Sequence, residues 1–453
     1  MAKLEKILLG QFIKKPEWKG LTKLQKEFFR SFFEGRNLFL TGPAGTGKSY
    51  AASLLFDFLD EMEIFYGKTA TTGVAALNIG GVTINSWSGM GLADDNGMEL
   101  LEKVAENTKA SNRIKACKVL VIDEVSMAKS ELIEKLDLVC QFIRNNERSF
   151  GGIQVIFVGD FMQLPPVFKH FEQELFAFDS QAWRDAKVKM VHLTEIVRQH
   201  DEPHFATFLN EVRMGCAKDY SILDDCISRV FPDDGILPVR LFCKNLDVNG
   251  YNKTELDKIN AKSQHYTSTD EGSETWRQFF DKNAQAPAVL ELKVGAQVIL
   301  LANVDPTQGL VNGSVGIVKA MFLETVEVQF TSGTFVVEAH EWSIKQNEFD
   351  PATNAMKKIV VAKRKQLPLR LAWALTIHKG QGSTLDRAEI DVSEAFAAGQ
   401  VYVALSRVRT LGSLRVKRFS PNKIMTNRKC LDFYTKQEAK KEKEDSYFEE
   451  VAE

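Results

Sequence analysis

Cysteine is sparse in this chain of 453 residues: there are six, at positions 117, 140, 216, 226, 243 and 430, and no two form a C-x-x-C pair. That argues against a disulfide framework and a zinc site, and reads as scattered thiols in a reducing compartment. Histidine is scarce too, at seven. His200 and His204 lie four apart, but Pro203 intervenes and no ligand cluster adjoins, so both read as surface residues. No apolar run reaches the roughly 18 residues of a membrane span, so none is expected. The N-terminal Met1-Ala2-Lys3-Leu4-Glu5-Lys6 lacks the basic head, apolar block and small-residue site of a signal peptide. The expected setting is the cytoplasm, of a bacterium, a phage or the like. An excess of one charge is also missing: the formal net charge is −2, which argues against a uniformly basic coat for nucleic acid.

What remains is an ordinary soluble composition, 44% hydrophobic and 26% charged, in a chain long enough for about three domains. Charge is uneven along it. Residues 361–430 carry 14 Lys/Arg against 4 Asp/Glu, while 436–453 carry 4 against 7. A basic block in a near-neutral chain is compatible with a phosphate-lined channel.

The segment that organises the chain is Gly42-Pro43-Ala44-Gly45-Thr46-Gly47-Lys48-Ser49, which satisfies G-x-x-x-x-G-K-[ST] at every fixed position. The apolar Leu38-Phe39-Leu40 precedes it and a helix-compatible run follows from Tyr50. Strand, loop and helix in that order aim backbone N–H groups and a helix N-terminus at a phosphate. Lys48 adds charge toward the outer phosphates, and Ser49 can ligate Mg²⁺. This is a nucleotide-binding loop.

Further along, Val119-Leu120-Val121-Ile122 ends in Asp123-Glu124, a buried parallel strand delivering carboxylates at its C-terminal edge. Asp123 suits Mg²⁺, and Glu124 suits orienting or deprotonating water. Val155-Ile156-Phe157-Val158 leads to Gln163, placed to sense a γ-phosphate, with Leu164-Pro165-Pro166 stiffening the loop. Residues 89–112 read as a small polar excursion from the core. Between Leu292 and Trp342 short alternating strands, punctuated by Asn312-Gly313 and Ser332-Gly333, predict a small antiparallel barrel. An α/β texture then resumes, and the tail from Lys436 reads as a solvated helix or disorder.

Strand–helix alternation thus occurs twice, but only the first half carries a phosphate loop. The second offers Arg198 at its entry and Arg407 near its end. A guanidinium reaching a γ-phosphate from a second body is worth on the order of 10³–10⁵ in rate and couples nucleotide state to domain closure.

The ordered set GPAGTGKS, TATTGVAALNIGGVTINS, VIDEVSM, VGDFMQLPPV, LTEIVRQ, LTIHKGQGSTLD and VYVALSRV resembles the Pif (petite integration frequency) DNA helicases of superfamily one, close to the RecD-like branch, over roughly residues 20–420. The resemblance implies an α/β protein with two RecA-like P-loop core domains on parallel sheets, a small Src-homology-3-like β-barrel inserted in the second and a small wedge inserted in the first. The expected partition is 1–188 for the first core domain with its wedge at about 88–115, 189–290 with 366–430 for the second, 291–365 for the barrel and 431–453 for a charged tail. The implied activity is ATP-dependent 5′→3′ unwinding and translocation on single-stranded DNA, with ATP and Mg²⁺ required. Gln25 would contact adenine, the loop from Gly42 to Ser49 would hold the phosphates, and Ser49 and Asp123 the metal. Lys48, Asp123, Glu124, Gln163, Arg198 and Arg407 would serve hydrolysis. Gln381 and Gly382 would link the nucleotide to the DNA track, touched near Thr71, Asn85, Ser86, Asn245, His378, Lys379 and Ser383. Trp87 would stack on a base or belong to the core. Asn85 stands where the family usually has histidine, which weakens that DNA contact. Expected partners are single-stranded and forked or tailed duplex DNA, with replication or repair proteins, for a monomer in solution.

Two other readings stay open at this point. One is a P-loop kinase or small-molecule NTPase, which leaves His378-Lys379-Gly380-Gln381 and the distant arginines without a role. The other is a nucleotide-switched DNA-binding module that never unwinds.

Overall fold

The computed structural model describes residues 8–91, 97–168, 172–243, 248–283, 286–350, 355–378, 380 and 382–452. Asn245, Lys379 and Gln381 lie outside the described residues.

Six parallel strands form the first sheet: β1 (Leu38–Thr41), β2 (Tyr66–Ala70), β3 (Val82–Thr83), β4 (Val119–Asp123), β5 (Gln154–Val158) and β6 (Lys189–His192), in the order β3-β2-β4-β5-β1-β6. Their apolar runs serve both faces, because side chains alternate along a strand. Leu38, Leu40, Val121, Ile156 and Val158 face a core shared with helices Lys23–Phe33 and Lys48–Glu61. Phe39, Leu120, Ile122 and Phe157 face the opposite core, under helix Ser130–Arg144. Thr22 starts the first helix with a capping box closed by Gln25.

Strand β6 pairs with β1, Met190 opposite Phe39 and Val191 opposite Leu40. The boundary expected at residue 188 therefore cuts through the first sheet, which ends only after His192. A second parallel sheet, ordered Ala374–Thr376, Val239–Phe242, Ala388–Asp391 and Leu414–Arg418, forms the other core domain. The inserted β-structure is a five-stranded antiparallel sheet of Gln297–Leu300, Val315–Met321, Val326–Phe330, Gly333–Val337 and Leu369–Leu371, so its last strand lies beyond the expected limit at 365.

Three further features differ from expectation. First, the 88–115 segment is not an excursion from the core. Its helices Gly97–Glu106 and Thr108–Ala116 are amphipathic and bury Leu100, Val104, Ala110 and Ile114 in the main apolar cluster. Second, His340–Asp350 and Ala355–Gln366 leave the barrel paired antiparallel, and the latter, as the central strand, also pairs with Thr269–Gly272. Ile344 and Ala362 sink into the first domain's core, and Lys358 reaches Asp60. Third, the tail expected from 431 begins packed: in the helix Arg428–Ala452, Cys430 and Tyr434 are fully buried and Phe433 stacks on Phe178 at 4.3 Å, while from Lys436 the chain is helical, one of the two forms expected. Those three residues are apolar enough to dock the helix, despite the charges that follow.

Tyr434 completes a buried polar network. Its hydroxyl lies 2.6 Å from Thr41 Oγ1 and 3.2 Å from Asp160 Oδ1, and accepts the Phe161 amide at 3.2 Å. Arg213, from helix Pro203–Met214, donates to both Asp160 oxygens at 2.8 and 2.9 Å. Burial alone would raise the Asp160 carboxyl, but Arg213 overcomes it and holds the group below the usual carboxylate range. Replacing Arg213 by alanine strands a buried charge and is expected to cost about 3–5 kcal/mol in denaturant unfolding. With its pKa depressed by folding, Asp160 contributes stability fully above the unfolded value near 3.9, and that contribution is lost as pH falls through the folded one. Stability-versus-pH curves should therefore show a smaller acid-side loss in Arg213→Ala than in the native chain.

Candidate nucleotide site

The loop after β1 folds as the glycines require. Gly45 and Gly47 adopt φ of 84° and 85°, and a Cβ on either would come within 2.6 Å of Arg198 or Gln25. The helix beginning at Lys48 has no side-chain cap, so its first-turn amides face the loop's concavity. Lys48 Nζ donates to the carbonyls of Gly42 and Pro43 at 2.7 and 2.9 Å. Thr46 is buried and braces the loop through Pro43 O.

A cleft of about 460 Å³ opens in front of this loop. One wall is Gly45, Gly47, Lys48 and Ser49 with Asp123, Glu124 and Gln163; the other is Arg198, Gly382, Thr384, Arg407 and Arg409. The first wall stands on the first sheet, whereas Gly382, Thr384, Arg407 and Arg409 belong to the second domain. Direct bonds join the halves. Ala44 N donates to Tyr402 Oη at 2.6 Å; Arg198 bridges the two, its amide donating to Gly45 O and its guanidinium to Ser406 O, each at 3.2 Å; and the neighbouring Gln199 donates to Val408 O at 2.9 Å.

The charges are unusual. Burial pulls the Lys48 ammonium down to about 8, against the pull of Asp160 and Glu124. Burial pushes the Asp123 carboxyl up to about 6, opposed by the Glu124 amide, which donates to it at 2.8 Å, and by Lys48. Arg407, 1% exposed, donates to Val403 O at 2.7 Å and to Ser406 Oγ at 2.8 Å, and among the described residues forms no ion pair. Burial and the neighbouring Arg198 lower it to about 9. Two arginines, half-buried Arg198 and buried Arg407, with no ion pair among the described residues, mark a place for an anion.

Of the other expected residues, Gln25 accepts the Thr22 amide and sits beside Gly47, outside the cleft wall. Thr71 is tied to the acidic strand end: its amide donates to Asp123 O and its hydroxyl to Glu124 O. His378, Gly382 and Thr384 line an adjoining cavity of about 480 Å³, which also shares Asp123 and Glu124 with the nucleotide cleft. Ser86 is exposed and Asn85 half-buried, its amide donating to Gly91 O. Ser383 is buried, with its hydroxyl on Gly380 O. Trp87 does not offer a stacking face: it is 4% exposed and packed over Gly67, where a Cβ would lie 2.8 Å from the indole. The absence of a side chain at Gly67 is what lets the ring settle into the core. Arg409, Thr384 and Tyr402 were not among the expected site residues. Arg409 stood two places beyond Arg407, and Tyr402 was the one aromatic in an aliphatic helical run.

A family model described as "PIF1-like helicase" matches residues 20–221, and one described as "DNA helicase Pif1, 2B domain" matches 280–321. The chain is similar to "ATP-dependent DNA helicase PIF1" of Emericella nidulans, 35% identical over 90% of this chain and 62% of that protein. It spans under two thirds of the length of the curated relatives it matches. Among solved structures, Pif1 helicase from Candida albicans is 34% identical with a TM-score of 0.71, covering 92% of this chain and 99% of that one. Pif1 helicase from Bacteroides in complex with ADP-AlF3 and ssDNA is 29% identical with a TM-score of 0.61, covering 92% and 97%. Comparable curated relatives are fungal and vertebrate, which lends the expected bacterial or phage setting no support. Among the described residues no helix is long and apolar enough to cross a membrane.

Lys48→Ala is expected to abolish ATP hydrolysis while leaving single-strand affinity intact, checked by phosphate release and oligonucleotide anisotropy. Arg407→Ala should keep nucleotide binding and lower turnover by about 10³-fold or more; retained turnover would remove it from the site.

Proposed function

We propose, since this chain belongs to the PIF1-like helicase family, that it is an ATP-dependent 5′→3′ DNA helicase and single-strand translocase. One observation carries the reading: buried Arg407, with no ion-pair partner among the described residues, shares a cleft with a phosphate loop that stands on another sheet. A nucleotide there would be gripped by both halves, so its hydrolysis would change how they fit together.

In this reading Lys48 leaves its loop carbonyls for the outer phosphates, and Arg198 and Arg407 meet the γ-phosphate from the far wall. Glu124 orients the attacking water, and Gln163 reports on the γ-phosphate to the sheet through Asp160. Ser49 and Asp123 form an oxygen-only donor pair, with the Asp123 charge poorly compensated, and that suits Mg²⁺ held mainly by water and phosphate oxygens. The metal would neutralise phosphate charge as it moves. The Thr71 tether to the acidic strand end gives the DNA track a short route to the reacting phosphate. The single strand would cross both core domains past Ser86 and His378, and the helical pair 97–116 would meet the duplex. Unwinding opposes a mean of about 1.4 kcal/mol of stacking per base-pair step.

The test is polarity-resolved. A forked or 5′-tailed duplex is expected to release its strand with ATP, and a 3′-tailed control to remain intact. Equal release from both, or none from either, overturns the proposal. DNA binding should also weaken steeply with salt, as displaced counterions require.

A further inference from the structure

A second group of cations lies between the first core domain and the long hairpin. A cavity of about 280 Å³ is walled by Lys68, Arg113, Lys345 and Lys358, with Asp57 and Asp60 as its carboxylates. Lys358 already has its partner, since its Nζ donates to both Asp60 oxygens at 2.7 Å. Arg113 is buried, and among the described residues its guanidinium donates to neutral oxygens, the carbonyls of Ser86 and Trp87 and Oε1 of Gln346, with the Glu348 carboxylate acting on it from further off. Lys68 Nζ stands 4.2 Å from the centre of the Phe56 ring and, like Lys345, has no hydrogen bond or ion pair among the described residues. Burial and the nearby Lys358 pull the Lys68 ammonium down to about 8, against the opposing pull of Asp60 and Asp57. Cations drawn together in a partly enclosed space repel one another, and an anion between them removes that repulsion. Ser343 and Gln346 add neutral polar groups to the same wall.

We propose that this cavity binds a phosphate group, held between Lys68 on β2, Arg113 on the helix Thr108–Ala116 and Lys345 on the hairpin. Two of these cations stand on the first core domain and one on the hairpin, so the bound group fastens the hairpin to that domain. Inorganic phosphate and a DNA backbone phosphate present the same oxygens, and either can be the source.

The experiment uses the full chain carrying Lys48→Ala, which disables phosphate capture by the nucleotide loop. Inorganic phosphate is titrated calorimetrically, and hydrogen exchange is followed at residues 66–70 and 343–346. Saturable binding with protection of both segments is expected, weakened about tenfold by Lys68→Gln, the loss of one charge-assisted hydrogen bond. Lys345→Gln should act alike, and because Lys345 is exposed its replacement does not endanger folding. If a forked oligonucleotide protects the same segments and displaces phosphate, the source is the DNA backbone; if it does not, free phosphate is the ligand. Absence of phosphate binding, unchanged affinity in both glutamine variants, or protection confined to one of the two segments overturns the proposal.

Discussion

The amide of Ala44 donates to the Tyr402 phenol at 2.6 Å, and through that bond the phosphate loop of one sheet rests on a helix of the other. The contact is buried, so neither group has water to turn to if the halves part. Around it the seam mixes polar and apolar contacts. Arg198 and Gln199 reach carbonyls beyond the Gln400–Leu405 helix, and Gly399 packs so tightly that a Cβ would stand 2.4 Å from Gln163 O. Ala44 and Leu164 join the apolar cluster of the second half, so burial as well as hydrogen bonding holds the two together. The nucleotide cleft exists only because the seam does.

Behind the cleft, two of the loops that line it are anchored at one point. Thr41 precedes the phosphate loop and Asp160 precedes Gln163, and Tyr434 bonds to both. Arg213 reaches the same carboxylate from the helix that follows the first sheet. The last helix of the chain thus returns to support the first domain, and a disturbance at Asp160 is felt by Lys48 through charge as well as through packing. Networks of this sort are stable only when every member is satisfied.

Much of this was legible before the fold was known, for local reasons. The glycines and Lys48, the apolar strands ending in Asp123-Glu124 and Gln163, and the paired turns of the barrel are each written in consecutive residues. Arg407 was legible as a candidate because a helicase-like motif surrounds it, yet that it forms no ion pair among the described residues is a three-dimensional fact. What depends on distant packing was not legible. Trp87 is core because Gly67 and Leu120 make room for it, and the charged tail docks because Phe178 and Asp160 await Phe433 and Tyr434. The 340–366 hairpin leaves the barrel because Thr269–Gly272 supplies a third strand and the first domain buries Ile344. Strand β6 reads alone as the start of something new, and only its register with β1 returns it to the first sheet.

The central claim is that one nucleotide is shared by two halves that also carry the DNA track. The steady-state ATP turnover of the full chain, measured with and without single-stranded oligo-dT, tests it most directly. The account predicts a slow basal rate that rises strongly and saturably with the oligonucleotide, because a strand laid across both halves would bring Arg407 into register with the loop. A rate unchanged by single-stranded DNA would contradict it.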